Sequence, residues 1–66
     1  MEHVLNHVQT RRTERELTQE TLAEKVGVSR QTIISIEKGN YTPSVALALK
    51  LARVLKVSVE ELFKIS

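Results

Sequence analysis

The sequence predicts an all-α fold, five short helices around one aliphatic core. Three observations carry that prediction. Apolar residues recur at helical spacing, with no sustained alternation of period two. Hydroxyl residues stand just ahead of four of the apolar runs, where a helix start needs a side-chain acceptor. Glycine and proline interrupt the chain only at Gly27, Gly39 and Pro43.

Val4, Leu5 and Val8 mark a first helix that is polar through its second half. Leu22, Ala23 and Val26 mark a second, with Thr18 as its cap. Ile33 and Ile36 mark a third, capped by Ser29. Ala48, Leu51, Ala52 and Leu55 mark a fourth that starts at Ser44, after Pro43. Leu62 and Phe63 mark a short fifth from Ser58, where Glu61 completes a capping box. Three of the starts also place an apolar residue before the cap and another five positions on, the pattern of a hydrophobic staple: Leu17 with Leu22, Val28 with Ile33, and Val57 with Leu62. The second helix is expected to end at Val26, with Gly27 in the left-handed conformation that glycine adopts without steric cost. The ends, Met1–His3 and Ile65–Ser66, are expected to fray. No internal repeat, linker or low-complexity segment interrupts the 66 residues, read as one domain.

Composition excludes several functions. A chain of this size buries only about 60% of its unfolded surface, so its core is marginal. Without cysteine it gains no disulfide and no thiolate metal ligand, usage that fits a reducing cytoplasm. Tyr41 and Phe63 are the only aromatic residues, too few for a base-stacking platform. The longest uncharged stretch, Gly39 to Leu49, is far short of a membrane span. The N-terminus carries Glu2 and no basic-then-apolar run, so no secretory signal is expected. A net charge of +2 is compatible with nucleic acid as a partner.

The stretch from Gln19 to Ile36 reads as one unit. Only Gly27 and Val28 separate Val26 from the Ser29 cap, and so tight a turn makes the second and third helices cross steeply. Ala23 falls where they approach most closely. Val28, Ile33 and Ile36 point inward, leaving Arg30, Gln31, Thr32, Ile34 and Ser35 outward. A groove-reading helix needs this division, a buried side that fixes its angle and an outer side of hydrogen-bonding groups.

The run from Leu17 through Thr18, Gln19 and Ala23 to Gly27, Val28, Ser29 and Ile33 resembles the helix-turn-helix of the Cro/C1-type (XRE) regulators, relatives of lambdoid phage repressors. Ile36–Ser44, Leu47–Ala52 and Val57–Phe63 continue the resemblance, which covers about Asn6 to Phe63 and looks most like the compact stand-alone members. It implies a lambda-repressor-like five-helix domain over residues 1–66, with the helix-turn-helix unit at about 18–38. It further implies sequence-specific binding of double-stranded DNA, the helix from Ser29 lying in the major groove. A repressor acting as a homodimer on a palindromic operator is the expected regulator.

By position, the resemblance implies that Arg30, Gln31, Thr32 and Ser35 contact bases, and that Gln19, Ser29, Lys38, Asn40 and Tyr41 contact phosphate. Arginine can bond guanine O6 and N7 together, and glutamine adenine N6 and N7. Arg12 and Glu37 match an internal ion pair of the family. Two positions depart from its pattern. Glu16 stands where a glycine is common, and Ile34 is a large apolar residue where many relatives are polar; a thymine methyl, a dimer contact or packed neighbours are its three candidate partners.

Other features have simpler readings. His3 and His7 are four apart and could share a helical face, but two ligands with no third are not a metal site. Glu60 and Glu61 suit the positive end of a helix dipole. Arg11, Arg12 and Arg15, interleaved with Glu14 and Glu16, read as a mixed solvated face. Leu62, Phe63 and Ile65 either close the monomer's own core or, with Tyr41, form a two-fold dimer interface. No nucleophile–base pair, metal ligand set or phosphate loop suggests an enzyme, and no cofactor, membrane or small-molecule ligand is expected. The rival reading is an antitoxin-like or adaptor protein whose main partner is another protein.

Overall fold

A computed structural model describes residues 3–66. In chain order the elements are β1 (Val4–Asn6), α1 (Val8–Glu14), α2 (Gln19–Val26), α3 (Arg30–Glu37), α4 (Val45–Leu55), α5 (Val59–Leu62) and β2 (Phe63–Ile65). The five expected helices are present, joined by a two-stranded ladder that apolar periodicity did not foretell.

That ladder corrects both ends of the sequence reading. Val4 and Leu5 lie in β1, outside the first helix, and Phe63 leaves α5 to open β2. The strands run antiparallel with Val4 opposite Ile65, Leu5 opposite Lys64 and Asn6 opposite Phe63. Asn6 sets the boundary. Its Oδ1 accepts from the Val8 N–H at 3.2 Å and its Nδ2 donates to the Ile36 carbonyl at 2.8 Å. A side chain that bonds nearby backbone groups in this way competes with helix, so the helix starts after it. The described end residues are paired: Ile65 lies opposite Val4 in the ladder and the Ser66 N–H donates to the His3 carbonyl at 3.0 Å. Met1 and Glu2, also expected to fray, lie outside the described residues. His3 and His7 flank a strand, with His7 as the N-cap of α1, and therefore share no helical face.

The helix starts follow their caps. Thr18, Ser29, Ser44 and Ser58 each accept from the backbone N–H three residues on, and Ser58 with Glu61 forms the full capping box. Leu17, Val28 and Val57, the expected staples, pack on the core. Eleven residues form that core: Val8, Leu22, Ala23, Val26, Ile33, Ile36, Leu47, Leu51, Ala52, Leu55 and Leu62. On α4 it is Leu47 that is buried, and Ala48 is half-buried. Gly27 takes the left-handed conformation at φ 78°. Glu16 and Lys56 take it too, at φ 58° and 57°, although side chains there cost about 1 kcal/mol or more relative to right-handed backbone. The common family glycine before Leu17 thus has a geometric reason, which Glu16 meets with strain.

One buried polar network joins three helices. Arg12 Nε donates to Glu37 Oε2 at 2.7 Å and its Nη2 to Oε1 at 3.3 Å, while Nη1 donates to the Leu17 carbonyl at 2.8 Å. The two side chains are only 10% and 4% exposed. Gln19 Nε2 donates to Glu37 Oε1 at 3.0 Å. The network holds the start of α2 against the end of α3, and so supports the crossing of the two helices.

Candidate nucleic-acid interface

The outward side of α3 is built from its cap upward. Ser29 Oγ accepts from the Thr32 N–H at 3.2 Å and lies 3.1 Å from Thr32 Oγ1. Ile33 and Ile36, both without exposed surface, fix the rotation of the helix about its axis. That rotation leaves Arg30 and Gln31 exposed, with Thr32, Ile34 and Ser35 half-buried. Among the described residues, the side chains of Arg30, Gln31, Lys38, Asn40 and Tyr41 make no intramolecular hydrogen bond, so their polar groups are available to a ligand.

Six of the expected contact residues, Ser29, Gln31, Thr32, Ser35, Asn40 and Tyr41, line one open cleft of about 260 Å³ between α3 and the loop that follows it. The fold therefore brings expected base readers and expected phosphate anchors to the same place, through the turn at Lys38 and Gly39. Arg30, Lys38 and Gln19 do not line the cleft. Gln19 is half-buried and engaged with Glu37, which leaves one amide hydrogen and the unpaired backbone N–H groups of the α2 start to face outward. This engagement is not legible in the sequence, because Gln19 and Glu37 are 18 positions apart and meet only through the crossing of α2 and α3. Ile34 is half-buried without joining the residues packed on the core.

Two of the expected dimer residues, Leu62 and Phe63, are taken up by the monomer's own packing. Leu62 has no exposed surface and belongs to the monomer's own core, so it has nothing to offer a partner. Phe63 is half-buried against that core. Tyr41, 46% exposed, shares its cleft with Gln31 and Ser35, and Ile65 stands exposed on the ladder opposite Val4. The reason is the packing of α5, whose two apolar positions, Val59 and Leu62, both lie against the core. Among the described residues no helix is long and apolar enough to cross a membrane.

The comparisons agree with this geometry. The chain matches the helix-turn-helix family over residues 8–62. It is 62% identical over 47 residues to an uncharacterised HTH-type transcriptional regulator of Methanocaldococcus jannaschii, covering 71% of each chain. It is 39% identical over 51 residues to the cryptic phage CTXphi transcriptional repressor RstR of Vibrio cholerae, covering 77% of this chain and 46% of that one. Its fold is similar to that of the restriction-modification controller protein C.AhdI of Aeromonas hydrophila, with a TM-score of 0.76, 35% identity and 82% coverage of both chains. A helix-turn-helix unit fixed on its inner side by Ile33 and Ile36, open and polar on its outer side, and matched along most of its length places this chain in the helix-turn-helix family of Cro/C1-type transcriptional regulators.

Proposed function

We propose that this regulator acts as a homodimeric repressor on a palindromic operator, with α3 in the major groove. The observation that carries the reading is the cleft beside α3. Its hydroxyl, amide and phenol groups are open to a ligand, while the opposite side of the same helix is locked in the core. Arg30 and Gln31 are the proposed base readers at the exposed start of α3, with Thr32 and Ser35 beside them. Ser29, Lys38, Asn40, Tyr41 and the α2 start at Gln19 are the proposed phosphate contacts that set register.

One copy offers few base contacts, and two copies on a two-fold site double them. The exposed apolar residues Val4, Leu5 and Ile65 on the ladder, and Val45 and Leu49 one turn apart on α4, support self-association. Repression is the proposed direction, a bound dimer occluding a promoter, and it accords with the similarity to RstR. The chain is proposed to act in the cytoplasm as one domain.

Selection of bound sequences from a random duplex library at physiological salt tests the reading. The expected result is one palindromic motif with half-sites about 34–36 Å apart, together with a dimeric mass in sedimentation. Recovery of no motif by folded protein, or a monomeric mass that operator DNA leaves unchanged, refutes it.

A further inference from the structure

Four of the ten lysines and arginines meet at a second groove, which shares no lining residue with the cleft beside α3. Arg15 follows α1, Lys25 lies in the last turn of α2, Arg53 in the last turn of α4, and Lys56 caps α4. Leu17 and Val54, half-buried and packed on the core, complete the lining of this open space of about 560 Å³. Among the described residues none of the four cations makes an ion pair or a side-chain hydrogen bond, whereas Arg11 and Arg12 are both paired. Glu16 and Glu24, neighbours of Arg15 and Lys25 in sequence, do not line the groove.

The signs of Lys25, Arg53 and Lys56 suit the negative ends of the helices that carry them. That accounts for each charge separately. It does not account for the ends of three helices, Arg15 at that of α1, converging around apolar surface with no carboxylate between them. Lys56 moreover keeps a side chain at φ 57°, where glycine would be relaxed.

The composition selects the occupant. A compact inorganic anion binds best to backbone N–H groups at helix N-termini, and the helix ends here are C-termini whose carbonyls repel it. Duplex DNA offers phosphates but little apolar surface for Leu17 and Val54. Lys25 also lies six residues along α2 from Gln19, about 9 Å toward the opposite end of the helix. We propose that this groove docks an acidic, amphipathic segment of a partner protein, its apolar side chains on Leu17 and Val54 and its carboxylates against Arg15, Lys25, Arg53 and Lys56.

The test is fluorescence anisotropy of the full chain with a labelled peptide of about four helical turns, leucines along one side and glutamates flanking them, titrated without DNA so that its outcome is separate from the operator reading. A scrambled peptide of equal charge and tripolyphosphate serve as controls. The expected result is binding to the amphipathic peptide that weakens with salt and falls about tenfold or more in Lys25→Glu/Arg53→Glu. The neutral Lys25→Gln/Arg53→Gln pair, less demanding on the helix ends, is expected to show a smaller loss in the same direction with unchanged melting. Operator affinity and its salt slope are expected to stay at the parent values in both variants. Equal binding by the scrambled peptide or tripolyphosphate would overturn the proposal in favour of a simple anion site. Loss of operator affinity in the variants would reassign the groove to DNA, and peptide binding that the variants leave unaltered would remove it as a site.

Discussion

Truncation of Arg12 to alanine is the most informative single change in the buried network. The guanidinium makes three hydrogen bonds, two to Glu37 and one to the Leu17 carbonyl. Without it, Glu37 keeps a charge on a side chain that is 4% exposed, with only the Gln19 amide left as partner. Removing one member of a buried pair costs about 3–5 kcal/mol, because the other charge stays behind uncompensated. A 66-residue chain has a total stability of about 3–10 kcal/mol at typical values per residue, so the loss is a large share of the whole. At about 4–8 °C per kcal/mol for a domain of this size, the melting midpoint is expected to fall by at least about 12 °C. The sharper comparison is the double variant Arg12→Met/Glu37→Met, which removes both charges and fills similar volume. Replacing a buried pair by apolar side chains is often close to neutral, so the double variant is expected to melt above Arg12→Ala. Thermal unfolding followed by circular dichroism gives both midpoints. A cost below about 1 kcal/mol for Arg12→Ala, the range of an exposed pair, or a double variant less stable than the single one, would refute the assignment of the pair as buried and mutually dependent.

Gln31→Ala is expected to relax preference at one base pair of the operator, by about 1–3 kcal/mol of discrimination, whereas Lys38→Ala weakens binding to every duplex and lowers the salt slope by about one; parallel profiles for the two variants in competition assays would contradict the division into readers and anchors. Glu16→Gly, at φ 58°, is expected to stabilise the chain by about 0.5–1 kcal/mol in urea unfolding, the relief of left-handed strain exceeding the entropy glycine adds to the unfolded state. The Glu61 carboxyl is held below its usual value first by the backbone hydrogen bond from Ser58, then by the Ser58 side chain, with smaller help from Arg11 and Lys64. The stability it adds is therefore present above its unfolded value of 4.5 and is lost as pH falls through the lowered folded value. Glu61→Gln is expected to flatten melting midpoint against pH in that acid window, and an unaltered profile would show that the capping box carries no charge-dependent stability.

Local chemistry is what the sequence spells out by itself. Thr18, Ser29, Ser44 and Ser58 start helices because a hydroxyl can reach a free backbone N–H within its own turn, and each does so in the fold. Gly27 ends α2 because the left-handed turn suits glycine, and Ile33 and Ile36 show which side of α3 is buried. With the resemblance of the surrounding residues, this made the family, the turn and the exposed residues Arg30 and Gln31 readable in advance. Tertiary structure decided what depends on partners distant along the chain. Val4 and Leu5 have apolar spacing compatible with helix, and only their pairing with Ile65 and Lys64, together with the reach of Asn6 to Ile36, makes them a strand. Leu62 could have served a dimer or its own core until the packing of α5 enclosed it. Gln19 reads as a free phosphate ligand until Glu37 meets it across the turn. Arg15, Lys25, Arg53 and Lys56 are scattered charges along the chain, and they become one groove only when the ends of α1, α2 and α4 converge. The physical reason is common to all four cases: caps and periodicities are fixed within one helical turn, whereas burial and charge clustering depend on which surfaces the assembled helices bring together.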